Sequence, residues 1–166
     1  MRPALWPVCF LLLLPAYTYA QVSTILSIGD AGVLKDVGPI EVVVEYLPSD
    51  FESFGLHRDD IRRDVELKLR LAGITIDDEG PDYLYVRAGG KCSDGTCGFR
   101  VDVFYRETVL VLRGEEYKEI VGAATWVAVG VTGTAGSRAL RSFVREHVKD
   151  RVDEFINAYL TANPKR

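Results

Sequence analysis

The chain has 166 residues, 48% hydrophobic, 27% charged and 10% aromatic, with 20 lysines and arginines against 24 acids and a formal net charge of −4. That balance fits a folded globular chain. It excludes a disordered polymer, a collagen-like repeat and a basic nucleic-acid-binding domain.

Residues 1–20 carry one charge, Arg2, followed by the apolar run Trp6-Pro7-Val8-Cys9-Phe10-Leu11-Leu12-Leu13-Leu14. Thr18 and Ala20 stand three and one residues before a cut at Gln21. A short apolar run closed by small residues reads as a secretory signal peptide. It is far below the ~20 residues a spanning helix needs. Cys9 sits inside the run without the small residues that precede a lipidated cysteine, so it belongs to the discarded leader. Cleavage leaves 146 residues at −5 with two cysteines. The expected product is periplasmic or extracellular, with no transmembrane anchor in the mature chain.

Residues 21–39 mix apolar side chains with glycine and define no clear element. Ile40-Glu41-Val42-Val43-Val44-Glu45-Tyr46-Leu47, bounded by Pro39 and Pro48, reads as a first strand with Ile40, Val42, Val44 and Tyr46 on its core face. From His57 the pattern turns helical. Ile61, Val65, Leu69 and Ala72 share a face, Asp59 and Asp60 lie in the early turns, and Gly73 closes the helix. Leu67 and Leu71 widen the apolar stripe and predict cover over much of its circumference.

Cys92-Ser93-Asp94-Gly95-Thr96-Cys97 predicts a hairpin, because Asp-Gly is a favoured type I′ dipeptide. Ser93 then faces Thr96 and Cys92 faces Cys97, and an exported chain with two cysteines is expected to bridge them. Extending the register puts Leu84, Val86, Ala88, Val101, Val103 and Tyr105 on one apolar face. The other face receives Arg87 opposite Asp102, Tyr85 opposite Phe104 and Tyr83 opposite Arg106. A one-residue slip would scramble both faces. The four-residue spacing is not that of a thioredoxin-type redox pair, and two cysteines without a nearby histidine supply only half a zinc site.

The second hairpin strand runs on through Val109-Leu110-Val111-Leu112, and Arg113-Gly114-Glu115-Glu116 makes the next turn. Residues 120–131 predict a further strand. Small residues at 122, 124, 128 and 130 flatten its Trp126 face, where a helix is expected to pack. Ser137 can cap a last helix ending near Ala162, before Asn163-Pro164, with Leu140, Val144, Val148, Val152, Phe155 and Tyr159 on its apolar face. The order β-α-β-β-β-α predicts a two-layer α+β sandwich. A mainly antiparallel sheet of about four strands carries two helices on one face, in a single domain over residues 40–166.

The Gly/Thr segment 130–138, read as a loop entering a helix, is a candidate anion site through Gly133, Thr134, Gly136, Ser137, Arg138 and Arg141. It holds no recognised nucleotide motif. The acidic cluster at 77–82 lacks calcium-loop spacing and reads as a solvated turn. His57 and His147 have no nucleophile signature beside them, so no catalytic residue, metal or cofactor is assigned. The hairpin face with Tyr83, Tyr85, Arg87, Phe104 and Arg106 is the candidate protein-interaction surface, since aromatics and arginine anchor interfaces.

Asp64-Val65-Glu66-Leu67-Lys68-Leu69-Arg70-Leu71-Ala72-Gly73-Ile74, Ala124-Thr125-Trp126 and the ending Val152-Asp153-Glu154-Phe155-Ile156-Asn157-Ala158-Tyr159-Leu160-Thr161-Ala162-Asn163-Pro164-Lys165 resemble a group of small exported bacterial proteins of unknown function. The resemblance implies an exported bacterial origin and carries no catalytic role, since its residues are helix faces, a strand tryptophan and a helix stop. The sequence thus favours a non-enzymatic protein-interaction or envelope-accessory module. A small-ligand or anion binder is the second reading and a hydrolase the third. The acidic charge and expected export argue against a nucleic-acid partner.

Overall fold

The computed structural model describes residues 30–164; the expected leader, residues 1–20, and residues 21–29 lie outside them. The elements are β1 (Glu41–Val44), α1 (Ser49–Ser53), α2 (Arg58–Leu71), β2 (Tyr83–Ser93), β3 (Thr96–Arg113), β4 (Glu116–Gly136) and α3 (Ser137–Ala162). They form the expected α+β arrangement, a four-stranded sheet in the order β1-β2-β3-β4. Strands β1 and β2 are parallel, joined through α1 and α2, and the other pairings are antiparallel.

The β2–β3 register is the one the sequence dictates, from Tyr83 opposite Arg106 to Ser93 opposite Thr96. Asp94 and Gly95 have φ values of 51° and 76°, as a type I′ turn requires, and Cys92 is bridged to Cys97. Leu84, Val86, Ala88, Val101, Val103 and Tyr105 are buried on the face that meets the helices. Trp126 is buried there too, its ring edge-on to Phe155 of α3 at 5.3 Å, with Ala128 beside it. Of the small residues expected on the Trp126 face only Ala128 lies there: shifts in the β3–β4 register set Ala124 opposite Arg106, Gly122 against Tyr83 and Gly130 against Asp102, all on the other face. The inward row of α3 is Leu140, Val144, Val148, Val152 and Phe155.

Helix α2 buries Ile61, Val65 and Leu69. Gly73, at φ 83°, lets the Ile74 amide turn back to the Leu69 carbonyl at 2.9 Å. Facing carboxylates and cations then bind α2 to α3. Arg145 grips Asp64 through two bonds of 2.8 and 2.9 Å, and Lys68 reaches Asp153 at 2.6 Å. Arg141 reaches Asp60 at 3.0 Å.

Several local expectations are corrected. Tyr46 is 84% exposed, because β1 ends at Val44 and the chain turns into α1. Leu47 and Phe51 enter the core instead, and Tyr46 carries the Arg58 guanidinium 4.6 Å above its ring. Leu67 and Leu71 are solvent-facing, since only the Ile61–Val65–Leu69 row of α2 turns inward. Residues 130–136 are not a loop but the end of β4, paired with β3 from Arg100 opposite Thr132 to Thr96 opposite Gly136. Ser137 is therefore the first residue of α3 rather than its cap. Gly136 holds the cap position without a side-chain bond.

The chain before β1 contributes to the core from Leu34, which is fully buried behind a 3-10 turn, Ala31–Leu34. Asn163 at the end of α3 fastens it. Its Oδ1 accepts from the Asp36 amide at 2.9 Å, and its Nδ2 donates to the Leu34 carbonyl at 2.7 Å.

Candidate interaction surface

Alternation along a strand sends every second side chain away from the helices. On β2 these are Tyr83, Tyr85 and Arg87; on β3, Arg100, Asp102, Phe104 and Arg106. Their register partners on β4 include Val127 and Thr132. No described helix packs on this side. The residues pack on one another instead: Tyr85 lies 6.4 Å from Tyr83 and 6.3 Å from Phe104, measured between ring centroids. Arg106 lies over Tyr85 at 4.8 Å and Phe104 at 5.6 Å, and Arg87 lies over Phe104 at 5.5 Å. Although Arg106 is the register partner of Tyr83, its cation–π contact runs diagonally to Tyr85 rather than straight across.

Asp102 lies beneath two guanidinium groups and is only 2% exposed. Its Oδ2 accepts from Arg87 Nη2 at 2.8 Å and from Arg100 Nε at 2.8 Å, while Oδ1 accepts from Arg100 Nη2 at 2.7 Å. Burial pushes this carboxyl up, and the hydrogen bonds from Arg100 and Arg87 outweigh it, holding the group below its ordinary range. The guanidiniums stay about half exposed, so each presents donors outward. Beside them lies an open cleft of about 500 Å³, lined among others by Gly89, Gly98, Phe99 and Thr132. This is a surface of planar cations and aromatic rings over a flat glycine floor.

The anion candidates are placed differently from one another. Gly133 and Thr134 lie within β4, opposite Phe99 and Gly98. A side chain at Gly133 would strike the Phe99 ring, so packing explains this glycine without any ligand. The Ser137 amide donates to the Gly95 carbonyl at 2.9 Å, and Arg141 is engaged by Asp60. Arg138 is exposed. At the acidic cluster, Asp77 accepts from the Glu79 amide and Asp78 pairs with Arg62 at 2.6 Å. Among the described residues no group of three or more His, Cys, Asp or Glu side chains converges on a metal position. His147 lies against the Phe99 ring at 5.6 Å, and His57 precedes α2 without a side-chain cap bond.

Sequence pattern alone does not announce how far the hairpin arms outrun their neighbour. Strand β2 begins at Tyr83, opposite Arg106, whereas β3 and β4 continue to the turn at Gly114. Residues 107–121 therefore form a two-stranded ribbon with Leu110, Leu112, Tyr117, Ile120 and Val121 exposed. Gly122, at φ 67°, sits at its root where the Tyr83 hydroxyl would meet a larger side chain at 2.8 Å.

Among the described residues, fold and surface together define a two-layer α+β domain with one helix-covered sheet face, one face that no described element covers, and a protruding ribbon. No family model matches the chain, and no curated protein matches it. Among solved structures, rare lipoprotein B from Shewanella oneidensis is similar to it at 13% identity, over 73% of this chain and 94% of that one, with a TM-score of 0.35.

Proposed function

We propose that this is an exported, non-enzymatic module of the bacterial envelope, periplasmic or secreted, that binds a protein partner through the uncovered sheet face. The observation that carries the reading is the packed ladder Tyr83–Tyr85–Phe104 with Arg87 and Arg106 laid over it. Preorganised aromatic and arginine side chains lose little conformational freedom on binding, which is why such residues concentrate interface energy. The leader pattern and the Cys92–Cys97 bridge support export into an oxidising compartment. Among the described residues no helix is long and apolar enough to cross a membrane.

The test compares the native chain with a Tyr85→Ala, Phe104→Ala double variant as bait in envelope extract. A protein retained by the native chain and lost with the double variant, whose hairpin stays folded by circular dichroism, supports the reading. Identical retention by both baits refutes it.

A further inference from the structure

The ribbon offers a backbone edge as well as side chains. Beyond Arg106, β3 has β4 on one side and no described strand on the other, so every second residue of 107–113 turns its amide and carbonyl to that open edge. Natural proteins blunt such an edge with proline, inward charge or a covering element. This stretch is Glu107-Thr108-Val109-Leu110-Val111-Leu112-Arg113, β-branched and apolar at its centre, with Leu110 68% exposed and Leu112 55% exposed. Elsewhere β4's own edge is engaged by the Arg151 guanidinium, which donates to the Val129 carbonyl at 3.1 Å.

The seven residues are complementary to themselves. A two-fold axis normal to the sheet relates antiparallel strands only when it passes through a residue pair of the same number, because only then do opposed side chains share a face. Centred on Leu110, the register sets Leu110 against Leu110, Val109 against Val111, Thr108 against Leu112 and Glu107 against Arg113. Each unlike pair occurs twice. Opposite charges meet at both ends, apolar side chains meet across the three central pairs, and Thr108 faces Leu112 between them. No ion pair among the described residues involves Glu107 or Arg113, so both are available for this pairing.

We infer that the free edge of β3, residues 107–113, pairs antiparallel with the same edge of a second copy of this chain, centred on Leu110, with Glu107 of each copy facing Arg113 of the other. The two ribbons then form one four-stranded sheet, β4-β3-β3-β4. Leu110 and Leu112 of both copies become neighbours on one face, with Tyr117 beside Leu112. The contact is independent of the aromatic face of β2, which stays free for a different protein.

Sedimentation velocity on the purified exported chain, up to ~100 µM, tests this. A dimer is expected. Glu107→Arg and Arg113→Glu should each weaken it by roughly tenfold, because either change puts like charges together at both ends. Combining the two should restore it, which a merely unfolded variant would not do. With Cys92 and Cys97 bridged, a Leu110→Cys variant should cross-link to itself through a short bis-maleimide much faster than a Tyr117→Cys variant. A monomer at every concentration, a dimer indifferent to both charge reversals, or equal cross-linking at 110 and 117 would overturn the inference. So would a ribbon that is covered only by a different protein, since the purified chain would then be monomeric.

Discussion

The Asp102 carboxylate occupies the space that a side chain on Gly130 would need. A Cβ at residue 130 would fall well inside contact distance of Asp102 Oδ1 and 2.7 Å from Arg100 Nη2. The glycine thus belongs to the ion cluster rather than to a mobile connection. Gly130→Ala should destabilise the fold by about 2–3 kcal/mol, because the cluster must shift or β4 must move away. Urea unfolding checks the magnitude. A loss under half a kilocalorie, about that of an ordinary surface change, would contradict the packing.

The same carboxylate makes stability depend on pH. Its folded-state pKa lies below the ordinary aspartate value because hydrogen bonds from Arg100 and Arg87 favour the charged form. The contribution is therefore complete above the unfolded value and is lost as pH falls from about 4 through the folded value. Asp64, held low by Arg145, and Asp60, held low by Arg63, act in the same direction. Asp102→Asn should flatten the acid limb of the stability curve while lowering stability at neutral pH. An unchanged slope between pH 5 and pH 2, roughly the interval over which a paired carboxylate gives up its contribution, would argue that the cluster contributes nothing.

The bridge between Cys92 and Cys97 closes a very short loop within a hairpin that neighbouring strands already hold. Reduction, or the paired Cys92→Ser and Cys97→Ser changes, should cost about 2 kcal/mol and leave the fold intact. Calorimetry with and without reductant measures the shift, and loss of cooperative unfolding on reduction would contradict it.

Asn163 ties the segment before β1 to the end of α3 through the Leu34 carbonyl and the Asp36 amide. Asn163→Ala removes both bonds and should cost about 1–2 kcal/mol. Amide exchange at Asp36 should accelerate, while exchange in the β2–β3 hairpin stays slow. Uniform acceleration across the chain would mean that the segment does not open separately.

The hairpin is legible in the sequence because Asp94-Gly95 fixes one register and both faces of the strands then agree with it. The inward row of α3 is legible from its apolar spacing alone, whereas the side of the sheet taken by Gly122, Ala124 and Gly130 is not, because bulges in the β3–β4 pairing reverse it. Residues 130–136 mislead because glycine and threonine suit both loops and strands; the deciding fact is the Phe99 ring lying over Gly133, a contact between strands. The bulge at Gly122 shifts the pairing of β4, and no local pattern announces it. The Asp64–Arg145 pair spans 81 residues and exists only once α2 and α3 are docked. At the candidate surface, the identities of Tyr85, Phe104 and Arg106 can be read from the sequence. The diagonal stacking depends on sheet twist, and only the structure contains it.

The most direct test of the interaction surface is site-specific photocross-linking in intact cells. A benzophenone amino acid replaces Tyr85 in one strain and Leu71, on the exposed side of α2, in another. A partner bound on the uncovered face predicts a discrete heavier adduct from position 85 and none from position 71. No adduct at 85, or the same adducts from both positions, would contradict it.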